Sequence, residues 1–257
     1  MNSSVVAEGE MKRLEGKNAL IIDSSWKIKM AVKLNISIII PVFNEEEMLL
    51  KMSDRFSKLR QTAEVIFVDG ESTDRTVELA SQLGKVLKGK KGRGVQMNLG
   101  AKKATGDILL FLHADAYINK RAVSSVRECI HKGAVGGCFT QRLNNKFAVY
   151  RYMERQGTVR AKKTKIFYGD QGIFVRRDIF FALGGYPEVP VMEDILFSRK
   201  LRRAGKVECL DDRIYVSARR WEKHGFFKTN ILYNIILLLF SLHIPLRIIK
   251  YLYKDKR

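Results

Sequence analysis

Cysteine is scarce in this sequence: Cys129, Cys138 and Cys209 are the only three in 257 residues, and no two form a Cys-x-x-Cys pair. That spacing excludes a zinc ribbon and a disulfide framework, and scattered thiols suit a reducing compartment. Repeats, low-complexity tracts and Pro/Gly-rich linkers are also missing, so two separate domains are not expected. No apolar run reaches the roughly 20 residues needed to cross a bilayer. The nearest is Ile231 to Leu242, which Asn234 and Ser241 interrupt and Pro245 follows. Residues 1–35 carry Glu8, Glu10 and Glu15 without a continuous apolar core, so no secretory signal is read there. Neither a P-loop nor a G-x-G-x-x-G after a first strand occurs. Acidic charge is in short supply too: 27 Asp and Glu face 47 Lys and Arg, a formal net charge of +20.

What is present describes a globular α/β protein. Apolar residues make up 46% and charged residues 29%, which excludes wholesale disorder. Alternating patterns begin at Asn35. Ile36–Val42 is a β-branched run of strand length, and Asn44 is placed to cap an acidic helix start, Glu45-Glu46-Glu47. Glu64–Val68 reads as a second strand, Ser72–Leu83 as a helix, Val95–Ala104 as another helix, and Asp107–Leu112 as a third strand. This β-α-β-α-β series predicts one mostly parallel sheet flanked by helices. Beyond it, Asn119–His131 reads as helix, Ala134–Gln141 as strand, Arg142–Lys165 as a basic segment, Lys165–Arg176 as strand and Glu193–Ala204 as helix. The expected division is a poorly ordered extension over 1–34, a catalytic domain over 35–225, and a basic, apolar helical segment over 226–257. With Lys223, Lys228, Arg247, Lys250 and Lys254 around its apolar run, that last segment reads as an interfacial or docking helix.

In an open α/β sheet, ligands bind beyond the carboxyl ends of the strands. Three such ends carry polar residues: Pro41 to Glu45, Asp69 to Asp74, and His113-Ala114-Asp115. A lone aspartate after a strand is often only a helix cap, but three together along one sheet edge suggest a site. Asp69 is placed to accept from ribose hydroxyls or a base N–H, and Asp115 to hold a divalent cation through oxygen. The loop Gly89-Lys90-Lys91-Gly92-Arg93-Gly94 leads into a helix; it reads as a phosphate-binding turn or as an ordinary surface turn. Glu193-Asp194 likewise reads as a catalytic pair or as N-terminal helix charge.

Ser37-Ile38-Ile39-Ile40-Pro41-Val42-Phe43-Asn44-Glu45-Glu46 and Val68-Asp69-Gly70-Glu71-Ser72-Thr73-Asp74 resemble the opening of the family-2 class of GT-A glycosyltransferases. Gly169-Asp170-Gln171-Gly172 and Met192-Glu193-Asp194 are similar to that class's acceptor and catalytic regions. The resemblance runs from about Ile36 to Trp221. Gly92-Arg93-Gly94-Val95-Gln96-Met97-Asn98, with Phe111-Leu112-His113-Ala114-Asp115, further resembles a small bacterial subfamily in which His-Ala-Asp replaces Asp-x-Asp.

The resemblance implies a GT-A fold and transfer of a sugar from a nucleotide-diphosphate donor to an acceptor hydroxyl, with inversion and with Mn2+ or Mg2+. It would place the donor on Pro41, Phe43, Asn44, Glu45, Asp69, Gly70, Ser72 and Arg93, and on His113, Ala114 and Asp115. Asp115 matches the metal-binding end of Asp-x-Asp, and Asp194 the general base. Glu193 beside it would strengthen that base by like-charge repulsion. Gly169, Asp170 and Gln171, with Arg219 and Arg220, would contact the acceptor or diphosphate. His113 stands where the first Asp is usual, and imidazole can ligate Mn2+ without supplying a charge. His224 is the candidate for a C-terminal metal ligand.

The C-terminal charge, 15 Lys and Arg against 5 Asp and Glu from Arg199 to Arg257, points to a cytoplasmic protein held peripherally at the inner membrane face, acting on a lipid-linked acceptor. Two alternatives stand beside this reading. One is a nucleotide-sugar-binding protein that has lost catalysis, suggested by His113. The other is a nucleic-acid-binding protein, suggested by the +20 charge. The second has no recognised motif and leaves the acidic strand ends without a use, so no nucleic acid partner is expected.

Overall fold

The computed structural model describes residues 18–22 and 28–252. The chain divides into two units, Met1–Leu34 and Asn35–Arg257. In the first, β1 (Asn18–Ile22) and β2 (Ile28–Val32) pair antiparallel, with Asn18 opposite Val32. The rest of the extension read over 1–34, up to Met1, lies outside the described residues apart from Lys33 and Leu34.

The second unit is built on an eight-stranded sheet. Its first strand, β3 (Ile36–Val42), is buried on both faces, as its mostly β-branched sequence suits. It pairs parallel with β4 (Glu64–Asp69) on one side and β6 (Ile108–Phe111) on the other. Helices α1 (Glu46–Arg60), α2 (Thr76–Leu83) and α3 (Arg93–Lys103) connect these strands, and β5 (Lys85–Lys88) adds a short parallel edge. After β6 come β7 (Ala116–Tyr117), α4 (Lys120–His131), β8 (Gly136–Leu143) and α5 (Ala148–Thr164). Then follow β9 (Ile173–Arg176), α6 (Arg177–Ala182), α7 (Glu193–Ala204) and β10 (Val207–Val216). The strand order is β5-β4-β3-β6-β9-β8-β10-β7, with β9 antiparallel to both neighbours and β8 parallel to β10. The chain closes with α8 (Arg219–His224), α9 (Phe226–Ser241) and α10 (Leu246–Leu252).

The sheet is therefore mostly parallel, as the alternation predicts, but four details differ. Asn44 does not cap α1: its Oδ1 accepts from Thr73 N (2.9 Å), and the cap position falls on Glu45 without a side-chain bond. The basic segment from Arg142 is the 17-residue helix α5 over most of its length, and strand structure in Lys165–Arg176 is confined to Ile173–Arg176. β10 was not legible because Asp211 and Asp212 interrupt its pattern where a bulge shifts the register against β8 between Leu210 and Arg213. Cys138 and Cys209, far apart in sequence, face each other across β8 and β10 as free, buried thiols.

The core lies between the sheet and its helices, with Ile39, Val68, Met97 and Ala101 in one continuous cluster. Its closest approach is at Gly100 of α3, where a Cβ would sit 2.4 Å from Ile39 Cγ2 and 3.0 Å from Val68 Cγ2. Replacing a helical glycine with alanine ordinarily stabilises by up to about 1 kcal/mol. At Gly100 the sign should reverse. The obstructing methyl belongs to a β-branched residue in a central strand, and overpacking of this kind costs about 1–3 kcal/mol. Gly100→Ala is expected to lower the urea midpoint; a raised midpoint would show that α3 sits further from the sheet.

Candidate active site

The carboxyl ends of β3, β4 and β6 meet at one sheet edge, with Val42 opposite Asp69 in the register. Gln96 of α3 locks this edge. Its buried amide donates to Val42 O (2.9 Å) and Val68 O (2.7 Å), while its Oε1 accepts from Gly92 N (3.3 Å). All its polar atoms are used, so β3, β4 and the glycine-rich loop are held at fixed spacing. Sequence reasoning gave Gln96 no role of its own; a polar residue among the buried positions of α3 was the available signal.

The loops after β3 and β4 are stitched to each other. Asn44 N donates to Ser72 Oγ (2.9 Å), Glu45 N to Thr76 Oγ1 (2.8 Å) and Glu46 N to Asp74 Oδ2 (3.2 Å). Asp69 is 3% exposed, and its carboxylate accepts from the backbone of Glu71 and Ser72 at 3.2–3.3 Å. Gly70 packs against the Gln96 amide, and Pro41 lies within β3. Lys91 of the glycine-rich loop stands 3.5 Å above the Phe43 ring, placing a cation beside the loop expected to hold a base. Asn44, Glu71 and Met192 all have left-handed backbone (φ 50°, 69° and 66°). Such conformations cost energy in non-glycine residues and cluster at working sites.

Asp194, on the first turn of α7, is held by two backbone amides. Gly169 N donates to its Oδ2 (2.7 Å), and Ile195 N to its Oδ1 (2.7 Å). Gly169 opens a 3-10 turn, Gly169–Gln171. A Cβ there would lie 3.0 Å from His113 Nε2 and 3.3 Å from Asp194 Oδ2, so the end of β6 and the start of α7 converge on this glycine.

Glu193 differs from expectation. It is 2% exposed and bonded to Arg93 Nε at 2.7 Å, so it is not a bare like charge beside Asp194. The pair instead ties the starts of α3 and α7 together. Arg219 is engaged in the same way: Nη1 and Nη2 donate to the two Glu45 oxygens at 3.0 Å, and its Nε lies 3.5 Å from Asp115 Oδ2. Arg220 lies in α8, but its side chain is outside the described residues. His224 ends α8.

Gln171, expected among the substrate contacts, is buried; its Oε1 accepts from Arg160 Nη2 (2.9 Å) and Tyr168 N (3.1 Å). Asp170 is half-buried. Its Oδ2 accepts from Gln141 Nε2 (2.8 Å), and its Oδ1 is shut off from solvent without a partner among the described residues. Desolvation first, then the nearby Asp194 and Asp115 charges, raise its pKa above the ordinary 3.8, while the Gln141 bond and Arg160 oppose this. Ala114 is buried within the turn that presents Asp115.

Among the described residues, no three His, Cys, Asp or Glu side chains converge to cage a metal. His113, Asp115 and His224 therefore do not form a ready-made set. A hard divalent cation bound mainly by substrate phosphates needs only one or two protein carboxylates. Asp115 is a carboxylate of that kind, but the Arg219 guanidinium stands 3.5 Å from its Oδ2 and occupies the position a cation would take. Two cavities of about 300 and 410 Å³ among the described residues lie elsewhere, at the amino ends of β3 and β4 around Arg60, Ala63 and Glu64.

The curled, mostly parallel sheet with its acidic carboxyl-end edge is the GT-A glycosyltransferase fold. It overlays the solved Staphylococcus aureus TarS structure with a TM-score of 0.61 at 20% identity, covering 79% of this chain and 65% of that one. It also overlays a Pyrobaculum calidifontis mannosyltransferase, solved with GDP-Man and Mn2+, with a TM-score of 0.57 at 21% identity, covering 72% and 57%. Residues 37–185 match glycosyl transferase family 2, and the chain belongs to that family. A Pyrococcus furiosus dolichol-phosphate mannosyltransferase is 31% identical over 110 residues, or 39% of this chain and 31% of that protein. S. aureus TarS, a poly(ribitol-phosphate) beta-N-acetylglucosaminyltransferase, is 25% identical over 74% of this chain. The chain spans about a third of the length of these two relatives.

The Asp170 environment makes a pH prediction. A carboxyl whose folded pKa is raised contributes stability below its unfolded value, and that stability is lost as pH rises through the folded value. Asp170→Asn keeps an acceptor for Gln141 and cannot ionise. It should unfold at a higher temperature than the parent at neutral pH, and the advantage should vanish below the ordinary value of 3.8. Equal melting curves across this range would refute the raised pKa.

Proposed function

We propose that this chain transfers a sugar from a nucleoside diphosphate donor to an acceptor hydroxyl, with inversion, using Asp194 as the base. The observation that carries the reading is the Gly169 N–H bond to Asp194 Oδ2 at 2.7 Å, at the sheet edge where family 2 members hold their donor. The bond leaves a positioned carboxylate at the convergence of β6 and α7. Asp194 takes the acceptor proton as the hydroxyl oxygen bonds to the anomeric carbon. The bond from that carbon to the diphosphate oxygen breaks, and its electron pair leaves with the nucleotide.

Donor binding is assigned to the stitched loops: Phe43 and Lys91 beside the base, and Asp69 with Gly70 and Ser72 at the ribose. A divalent cation, when bound, stabilises the negative charge of the departing diphosphate; Asp115 is the residue that would hold it. Arg219 can exchange its bonds to Glu45 and Asp115 for diphosphate oxygens, which suit a planar guanidinium equally well. The acceptor is assigned to the lipid-linked class, and the protein to the inner face of the cell membrane. Support comes from the basic, apolar C-terminus and from the dolichol phosphate in one relative's name.

Asp194→Asn should reduce nucleotide release from a sugar nucleotide by about 10²- to 10⁴-fold while leaving thermal stabilisation by UDP or GDP unchanged. Asp115→Asn should remove the Mn2+-dependent part of that stabilisation. A panel of UDP, GDP, CDP and dTDP with and without Mn2+ reads both base and metal. Parental turnover in both variants would overturn the assignment.

A further inference from the structure

Helix α9, FFKTNILYNIILLLFS, is apolar on both sides. One side packs: Ile236 and, from α10, Ile249 are buried with Val191, and Leu232, Leu239 and Phe240 lean on them. The other side faces water. Phe227, Ile231, Ile235, Leu238 and Leu242, spaced three or four residues apart along one stripe, are each between 44% and 76% exposed. Ile248 and Tyr251 of α10 are exposed as well. Single exposed hydrophobes are normal on a protein surface, but a continuous stripe two turns and more in length marks a contact surface.

Charge says what covers it. Between Glu222 and Asp255 the sequence has no acidic residue, while it carries Lys223, Lys228, Arg247, Lys250 and Lys254. Lys223, Lys228, Arg247 and Lys250 are exposed. An apolar protein groove would account for the stripe but not for the missing acids, and a second copy would bring +20 against +20. No helix among the described residues is long and apolar enough to cross a membrane. An apolar stripe with a basic rim and insufficient length to span matches a helix lying in the plane of a membrane interface. We propose that the exposed stripe of α9, with its basic rim, seats the protein on the surface of an anionic phospholipid bilayer.

The seat is continuous with the site. α8 begins at Arg219, which grips Glu45 and faces Asp115, and runs through Gly225 into α9. Met192, two residues before Asp194, packs against the α9 cluster. A bilayer under α9 would therefore bring a membrane-borne acceptor to the base; this consequence alone rests on the proposed transferase reading.

The test is flotation of the full-length protein with vesicles of phosphatidylcholine alone or with about one third phosphatidylglycerol. The protein should float with the anionic vesicles and stay behind with the neutral ones. Ile231→Glu with Leu238→Glu should remove at least nine-tenths of the bound fraction. Lys228→Glu or Lys250→Glu should each weaken binding at least about five-fold, the equivalent of about 1 kcal/mol per basic residue near the surface. Leu50→Glu, at an exposed apolar position on α1, should have no effect. Absence from the anionic vesicle fraction overturns the proposal, as does equal loss with Leu50→Glu. So does a dimer in solution that Ile231→Glu dissociates, because the stripe would then belong to a second copy. Nucleotide release measured without vesicles should be the same in the α9 variants and the parent, so a failed transferase reading and a failed membrane seat give different results.

Discussion

A buried glutamine amide holds the working edge of this protein together. Gln96 reaches the last residue of β3, the penultimate residue of β4 and Gly92 of the glycine-rich loop at the start of α3. Its three bonds satisfy it inside the core, where an unmet amide would cost about 1–3 kcal/mol. That spacing lets the loops after β3 and β4 bond to each other through Asn44, Ser72, Thr73 and Thr76. It also makes left-handed backbone at Asn44 and Glu71 sustainable, because the surrounding bonds over-determine both residues.

The acidic groups of the site are few in a chain of net charge +20, and all but one are answered by specific partners with no buried oxygen left over among the described residues. Glu193 has Arg93, Glu45 and Asp115 share Arg219, and Asp194 has the Gly169 and Ile195 amides. Asp170 is the exception, with one oxygen lacking a partner among the described residues. These partners restrict the geometry of the carboxylates before any ligand arrives, and such preorganisation is what charge development in a reaction exploits. Arg219 and Arg93 also connect parts of the chain that lie far apart in sequence: the C-terminal helices to the β3 loop, and α3 to α7.

Much of the fold was legible in the sequence because period and composition are local properties. The β-branched run of β3, the alternation through β6 and the aspartates at strand ends could be read without knowing what packs on what. α5 escaped because only Tyr150, Glu154 and Ala161 of its 17 residues are fully buried, leaving a weak apolar stripe among many charges. β5 escaped because it is a four-residue edge flanked by lysines. The C-terminal segment was legible as apolar and basic, but which side of α9 packs was not, since both sides carry aliphatic residues.

The sequence by itself determined that there is a parallel sheet with an acidic edge, and it named Asp69 and Asp115 as residues of that edge; Asp194 entered only through the family resemblance. Tertiary structure decided how they are held. Glu45 and Arg219 are 174 positions apart, and Arg93 and Glu193 belong to different helices, so no local pattern records their pairing. Ion pairs and amide bridges depend on distance in space, which falls off over a few ångströms. Strand and helix periodicity depends on distance along the chain, and only that second distance is written in the sequence.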